Sequence, residues 1–128
     1  MLEILKFFLD QGLDSNTKNA VGTTLLMHAA EGWETETIRL LISKGADVRL
    51  KDKYRRTIRY YVAELYSQVG PKSNSENSQE AWRRSEAGQL YEELWSVIWD
   101  EMERLKKRRK LKRSISKIRL KHKKSKKQ

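Results

Sequence analysis

The sequence predicts an all-α protein: a short helical solenoid of one full and two partial repeats, then a long amphipathic helix and a disordered basic tail. Three observations carry this expectation. "FFLDQGLDSNTKN" and "LLISKGADVRLKD" align without gaps at an offset of 33 residues, Gly12 on Gly45 and Asp14 on Asp47. Tyr91, Leu94, Trp95, Ile98, Trp99, Met102 and Leu105, stepped at 100° per residue, fall within roughly 140° of arc. From Lys106 onward there are fourteen Lys or Arg and no acid. The expected organisation is a repeat region over 1–66, a Ser/Asn-rich linker over 67–79, the amphipathic helix over 80–113 and the tail over 114–128.

The repeat register extends beyond the first match. It pairs Thr24 with Thr57, Leu25 with Ile58 and Ala30 with Ala63. Within one unit, Gly22 stands where a turn favours positive φ, and Thr24 offers its hydroxyl to cap a helix. Ala29 and Ala30 are small enough for neighbouring helices to approach closely. Ile38, Leu40, Leu41 and Ile42 supply the apolar face of a second helix, which Gly45 ends as a left-handed cap.

A 33-residue unit of two short helices and a turn is the ankyrin period, and "NAVGTTLLMHAAEGWETETIRLLISKGAD" resembles an ankyrin repeat. Leu25 and Met27 stand where that family usually has Pro and His. The unit after Asp52 has Arg55 in the turn-glycine place and Arg59 in a place that is normally core leucine, which marks it as a cap. Leu2 to Leu9 matches the second helix of a repeat whose first helix would precede Met1, so the expectation is either a shortened product of a longer array or another element that covers the exposed face. The resemblance implies a protein-binding face made of turn fingers and inner helices. The fingers are Asn16 to Thr23 and Arg49 to Arg56, and the second groups Arg49, Lys51, Lys53, Arg55 and Arg56 around Tyr54. An acidic partner surface suits it.

Pro71 and the Ser/Asn cluster "SNSENS" end the repeat region. Asn77 with Glu80 three residues later has the spacing of an N-cap with a reciprocal glutamate, predicting the start of the long helix. Its apolar stripe, Tyr91 to Leu105, must be buried on something. It either folds back onto the final repeat or engages another chain. Acids precede bases along it, so Asp100 with Arg104 and Glu103 with Lys107 are expected i,i+4 pairs. Past Arg113, self-repulsion predicts disorder.

Composition narrows the function classes. The chain carries 28 Lys and Arg against 17 Asp and Glu, a net charge of +11, yet residues 1–105 hold all the acids against fourteen bases and are at −3. A basic pI therefore describes the tail alone. With no cysteine and two distant histidines, His28 and His122, the sequence offers no thiolate nucleophile and no metal set. It has no Gly-rich phosphate loop and no paired-carboxylate or Ser/His/Asp arrangement, so neither an enzyme nor a cofactor site is expected. No run is apolar enough for a transmembrane segment.

The expected function is a non-catalytic adaptor or scaffold with an intracellular location, nucleus favoured over cytoplasm. Lys106, Lys107, Arg108, Arg109, Lys110, Lys112 and Arg113 form a run like those that import receptors read in extended form. Two alternatives compete. Ile98, Met102, Leu105 and Leu111 have the 1-5-8-14 spacing of calmodulin targets beside a basic run, which also fits an anionic membrane surface. Nonspecific nucleic-acid binding through the tail is the other, as a secondary role.

Overall fold

A computed structural model of the chain describes residues 2–126. The helices are α1 (Leu2–Asp10), α2 (Leu25–Glu31), α3 (Thr35–Ser43), α4 (Ile58–Val69), α5 (Glu76–Arg84) and α6 (Glu86–Lys126). Among the described residues the only bridge of β type is isolated, between Lys18 and Thr24. The chain divides into two compact units that part between Ile98 and Trp99.

In the first unit the 33-residue period is visible as repeated hydrogen bonds. Gly12 (φ +104°) and Gly45 (φ +92°) both turn left-handed. The next N–H reaches five residues back in each case, Leu13 to Phe8 O and Ala46 to Leu41 O, both 2.9 Å. Helix α2 packs against both α3 and α4. Its Ala29 and Ala30 are buried, as the sequence leads one to expect, beside Leu26, Met27, Ile38, Leu41, Ile58 and Val62. Thr24 caps α2, its Oγ1 accepting from Met27 N–H at 3.3 Å, while Thr24 N–H lies 3.4 Å from Met27 Sδ. The thioether thus serves as acceptor at the place where the resemblance expects histidine. At Gly22 (φ +78°) a Cβ would lie 2.9 Å from Lys53 N, so the turn admits no side chain where the two fingers meet.

The linker and the helix after it differ from expectation. Helix α4 runs to Val69 and α5 starts at Glu76, which shortens the linker to 70–75. The N-cap is Ser75, whose Oγ accepts from Ser78 N–H at 3.3 Å, not Asn77, which lies inside α5. The helix is also interrupted. Ser85 is extended (φ −71°, ψ 157°), and its hydroxyl donates to Trp82 O while accepting from Gly88 N–H at 3.2 Å. A Cβ on Gly88 would collide with that same Trp82 carbonyl, so the close approach of α6 to α5 requires glycine there.

The part of the apolar stripe that lies in the first unit, Tyr91 to Ile98, folds back onto the repeats. Leu94 and Ile98 are fully buried, and Trp95 is half-buried with the Arg59 guanidinium 5.9 Å from its ring centroid. Arg59, whose counterpart one period earlier is the buried Leu26, is itself exposed. Trp82 Nε1 donates to Val69 O at 2.6 Å, and the rings of Tyr66, Trp82 and Tyr91 meet at centroid distances of 5.3 to 5.6 Å. Arg39 of α3 reaches Glu93 of α6 at 3.3 Å. Helices α5 and the start of α6 therefore stand where a second helix of the last unit is wanting.

The second unit is the remainder of α6. Its ion pairs have i,i+3 spacing: Arg104 grips the buried Glu101 through two bonds of 2.6 and 2.8 Å, and Lys106 pairs with Glu103 at 3.0 Å. The expected pairs Asp100 with Arg104 and Glu103 with Lys107 do not form. Helix also continues past Arg113 to Lys126, where disorder was expected. Lys, Arg and Leu are good helix formers, no Gly or Pro follows Gly88, and elongating an existing helix avoids the cost of nucleation. Ser114 adds a back-bond to Lys110 O at 3.1 Å. Lys127 and Gln128, the last of the expected tail, lie outside the described residues.

Candidate functional site

The second finger is built around a buried carboxylate. The Asp52 side chain is wholly inaccessible. Tyr61 donates its hydroxyl to Oδ2 at 2.6 Å and Arg56 Nε donates to the same oxygen at 2.8 Å; the Tyr54 and Arg56 N–H groups donate to Oδ1, each at 2.9 Å. Burial opposes ionisation of Asp52, but these four bonds outweigh it and hold the carboxyl well below the usual carboxylate range. Burial, then the bond to Asp52, pushes the Tyr61 phenol up. The Arg56 guanidinium lies 4.8 Å from the Tyr54 ring centroid and 4.7 Å from that of Tyr60, so charge and stacking both fix it.

The first finger has the same plan one period earlier. Asn19 Oδ1 accepts from Val21 and Thr23 N–H, as Asp52 Oδ1 does from Tyr54 and Arg56 N–H. Asp14 accepts from Asn16 N–H as Asp47 does from Arg49 N–H. Gly22 (φ +78°) corresponds to Arg55, which holds φ at +63° despite its side chain. The fingers join through Lys53 N–H to Val21 O at 2.8 Å and Lys18 Nζ to Lys51 O at 3.1 Å.

Of the five expected contact cations, two are held by carboxylates within the fold. Arg56 is locked on Asp52, and Arg49 grips Asp47 at 2.9 and 3.1 Å. Lys51, Lys53 and Arg55 are exposed and pair with no carboxylate among the described residues, and Tyr54 is 62% exposed between them. Beside the finger runs an open groove of about 370 Å³ lined by Glu31, Arg56, Tyr60, Tyr61, Glu64 and Leu65. Sequence reasoning missed Asp52, Tyr61 and this groove. The self-alignment of Asn19 with Asp52 was the available signal for the first.

The family model for ankyrin repeats in three copies matches residues 1–69. The chain belongs to the ankyrin-repeat family. No curated protein matches it. Ankyrin repeats are generally protein–protein interaction modules and typically non-catalytic. Among the described residues of this ankyrin protein, no group of His, Cys, Asp or Glu could hold a metal ion, and no helix is long and apolar enough to cross a membrane.

The remaining expected sites fall on α6. Lys107, Arg108, Arg109, Lys110, Lys112 and Arg113 are exposed on one continuous helix, and Lys106 pairs with Glu103. The calmodulin-like set does not share a free surface: Ile98 is fully buried, Met102 and Leu105 are half-buried, and only Leu111 is exposed.

Proposed function

We propose that this ankyrin protein is an adaptor whose second finger docks an acidic protein surface. The observation that carries this reading is the exposed Tyr54 surrounded by Lys51, Lys53 and Arg55, cations that the fold leaves unneutralised while it locks Arg49 and Arg56. Unpaired charge at the rim speeds encounter and selects against basic partners, and an aromatic anchor supplies apolar contact. A photo-crosslinking residue at position 54 in cells tests it. Capture of a defined protein band is expected, lost when Lys51, Lys53 and Arg55 are changed to Glu and kept when Lys121, Lys123 and Lys124 are. Equal loss in both variants would mean that only net charge matters.

The basic run carries a second reading, nuclear import. Fourteen cations without an acid after Leu105 support it, as does exposure of Lys107 to Arg113; a receptor that reads extended chain must unwind this turn of α6. Neutralising Lys106, Lys107, Arg108 and Arg109 is expected to abolish nuclear accumulation of a fluorescent fusion. Neutralising Lys121, Lys123, Lys124 and Lys127 removes as many charges and is expected to leave it. A fusion that is never nuclear sinks this reading.

A further inference from the structure

The helical state of residues 107–122 creates a surface that a disordered tail would lack. At 100° per residue, Leu111, Ile115 and Ile118 lie within about 60° of arc, one above another over about 10 Å. They are 61%, 41% and 66% exposed. Trp99, Met102 and Leu105 are centred on the opposite side of the same helix, so this second stripe is not a continuation of the first. Lys107 and Lys121 border one of its edges and Arg108 and Arg119 the other, and Arg109, Arg113 and Lys117 occupy the back.

We propose that this stripe is the anchor of a helix-in-groove complex, and that its partner is an acidic calcium-sensor protein with an apolar groove. Charge complementarity decides among occupants. Duplex nucleic acid would neutralise the cations but offer nothing to three exposed aliphatic side chains. A flat anionic membrane would seat the stripe but offer no walls to Arg119 and Lys121, which point sideways from it. An apolar groove between acidic walls takes both: aliphatic anchors at i, i+4 and i+7 fill the floor, and the cations on the two flanks meet the walls, while the back faces solvent. The surface lies outside the finger and does not depend on the finger's partner.

The experiment uses the full chain and calmodulin, an acidic protein whose Met-rich groove opens with Ca²⁺. Binding at micromolar concentration or tighter is expected with Ca²⁺ and none with a chelator. Ile118→Asp is expected to weaken it about 30-fold or more, as for a central anchor. Leu120→Asp makes the same change of charge on the opposite side of the helix, and its loss should be only a few-fold. Both sites are exposed, and circular dichroism confirms that each variant keeps its helix. No binding to calmodulin overturns the proposal. So do equal losses from the two variants, which would make the contact purely electrostatic, and tighter binding to vesicles of equal parts phosphatidylserine and phosphatidylcholine or to a short DNA duplex. Ile118→Asp leaves Lys106 to Arg113 and the finger intact, so nuclear accumulation and crosslinking at position 54 report separately.

Discussion

Ile98→Asp is expected to unfold the ankyrin array or bring it to the edge of unfolding. Ile98 is fully buried at the end of the first unit, so the substitution removes a core aliphatic and puts a carboxylate without a partner in its place. Losing the aliphatic contact and burying the charge each cost about 2 kcal/mol or more, together about 4 kcal/mol or more. A domain of this size has about 5 to 15 kcal/mol in all. Urea denaturation followed by far-ultraviolet circular dichroism measures the loss, with Leu120→Asp as a same-charge control at an exposed site, expected within about 0.5 kcal/mol of the parent. Matching midpoints for the two variants would show that α6 does not cover the repeats in solution, and that its first stripe serves another chain.

Asp52→Asn is expected to loosen the second finger and lower the melting temperature by about 5 °C or more. The amide has the right size but the wrong chemistry. Its NH₂ would face donors where a carboxylate oxygen now accepts, and Arg56 would lose the anion to which it is fixed. The pH dependence isolates the cause. Folding depresses the Asp52 pKa, so its contribution is complete above the unfolded carboxylate value of about 3.9 and is lost as pH falls from there toward the folded value. The parent should therefore lose stability more steeply than the variant below about pH 4. Parallel curves through that window would place the stabilising carboxylate elsewhere.

Much of the repeat region was legible because its determinants are local. Gly12, Gly22 and Gly45 mark positions where the backbone turns left-handed, and a conformation forbidden to most side chains leaves its trace in residue type. Thr24 and the two buried alanines are similarly legible. The finger's cations were legible as a group, but not their division. Arg49 and Arg56 belong to the fold and Lys51, Lys53 and Arg55 to the surface, because Asp47 and Asp52 reach only some of them. That is decided by side-chain geometry within a turn.

The linker and the end of the chain were read less well. Asn77 and Ser75 are equally good caps by type, and the choice between them follows from where Trp82 must sit to donate to Val69 O and meet Tyr66. The break at Ser85 has the same origin, since Gly88 permits a carbonyl approach that composition does not announce. In the tail, charge density argued for disorder while residue propensity argued for helix. Helix follows because the segment elongates an established helix instead of nucleating its own.

The 33-residue period, the family, the helical class, and the separation of a mildly acidic body from a basic end could all be read before any packing was known. All of these are properties of residue order and type. It took the packed chain to show that Leu94 and Ile98 serve the repeats rather than another chain, that Arg55 is left exposed while Arg49 and Arg56 are held, and that Leu111, Ile115 and Ile118 form a second face. Periodicity shows that a stripe must be covered; what covers it depends on the competing apolar surfaces within reach, and for Leu94 and Ile98 that surface is the incomplete last repeat.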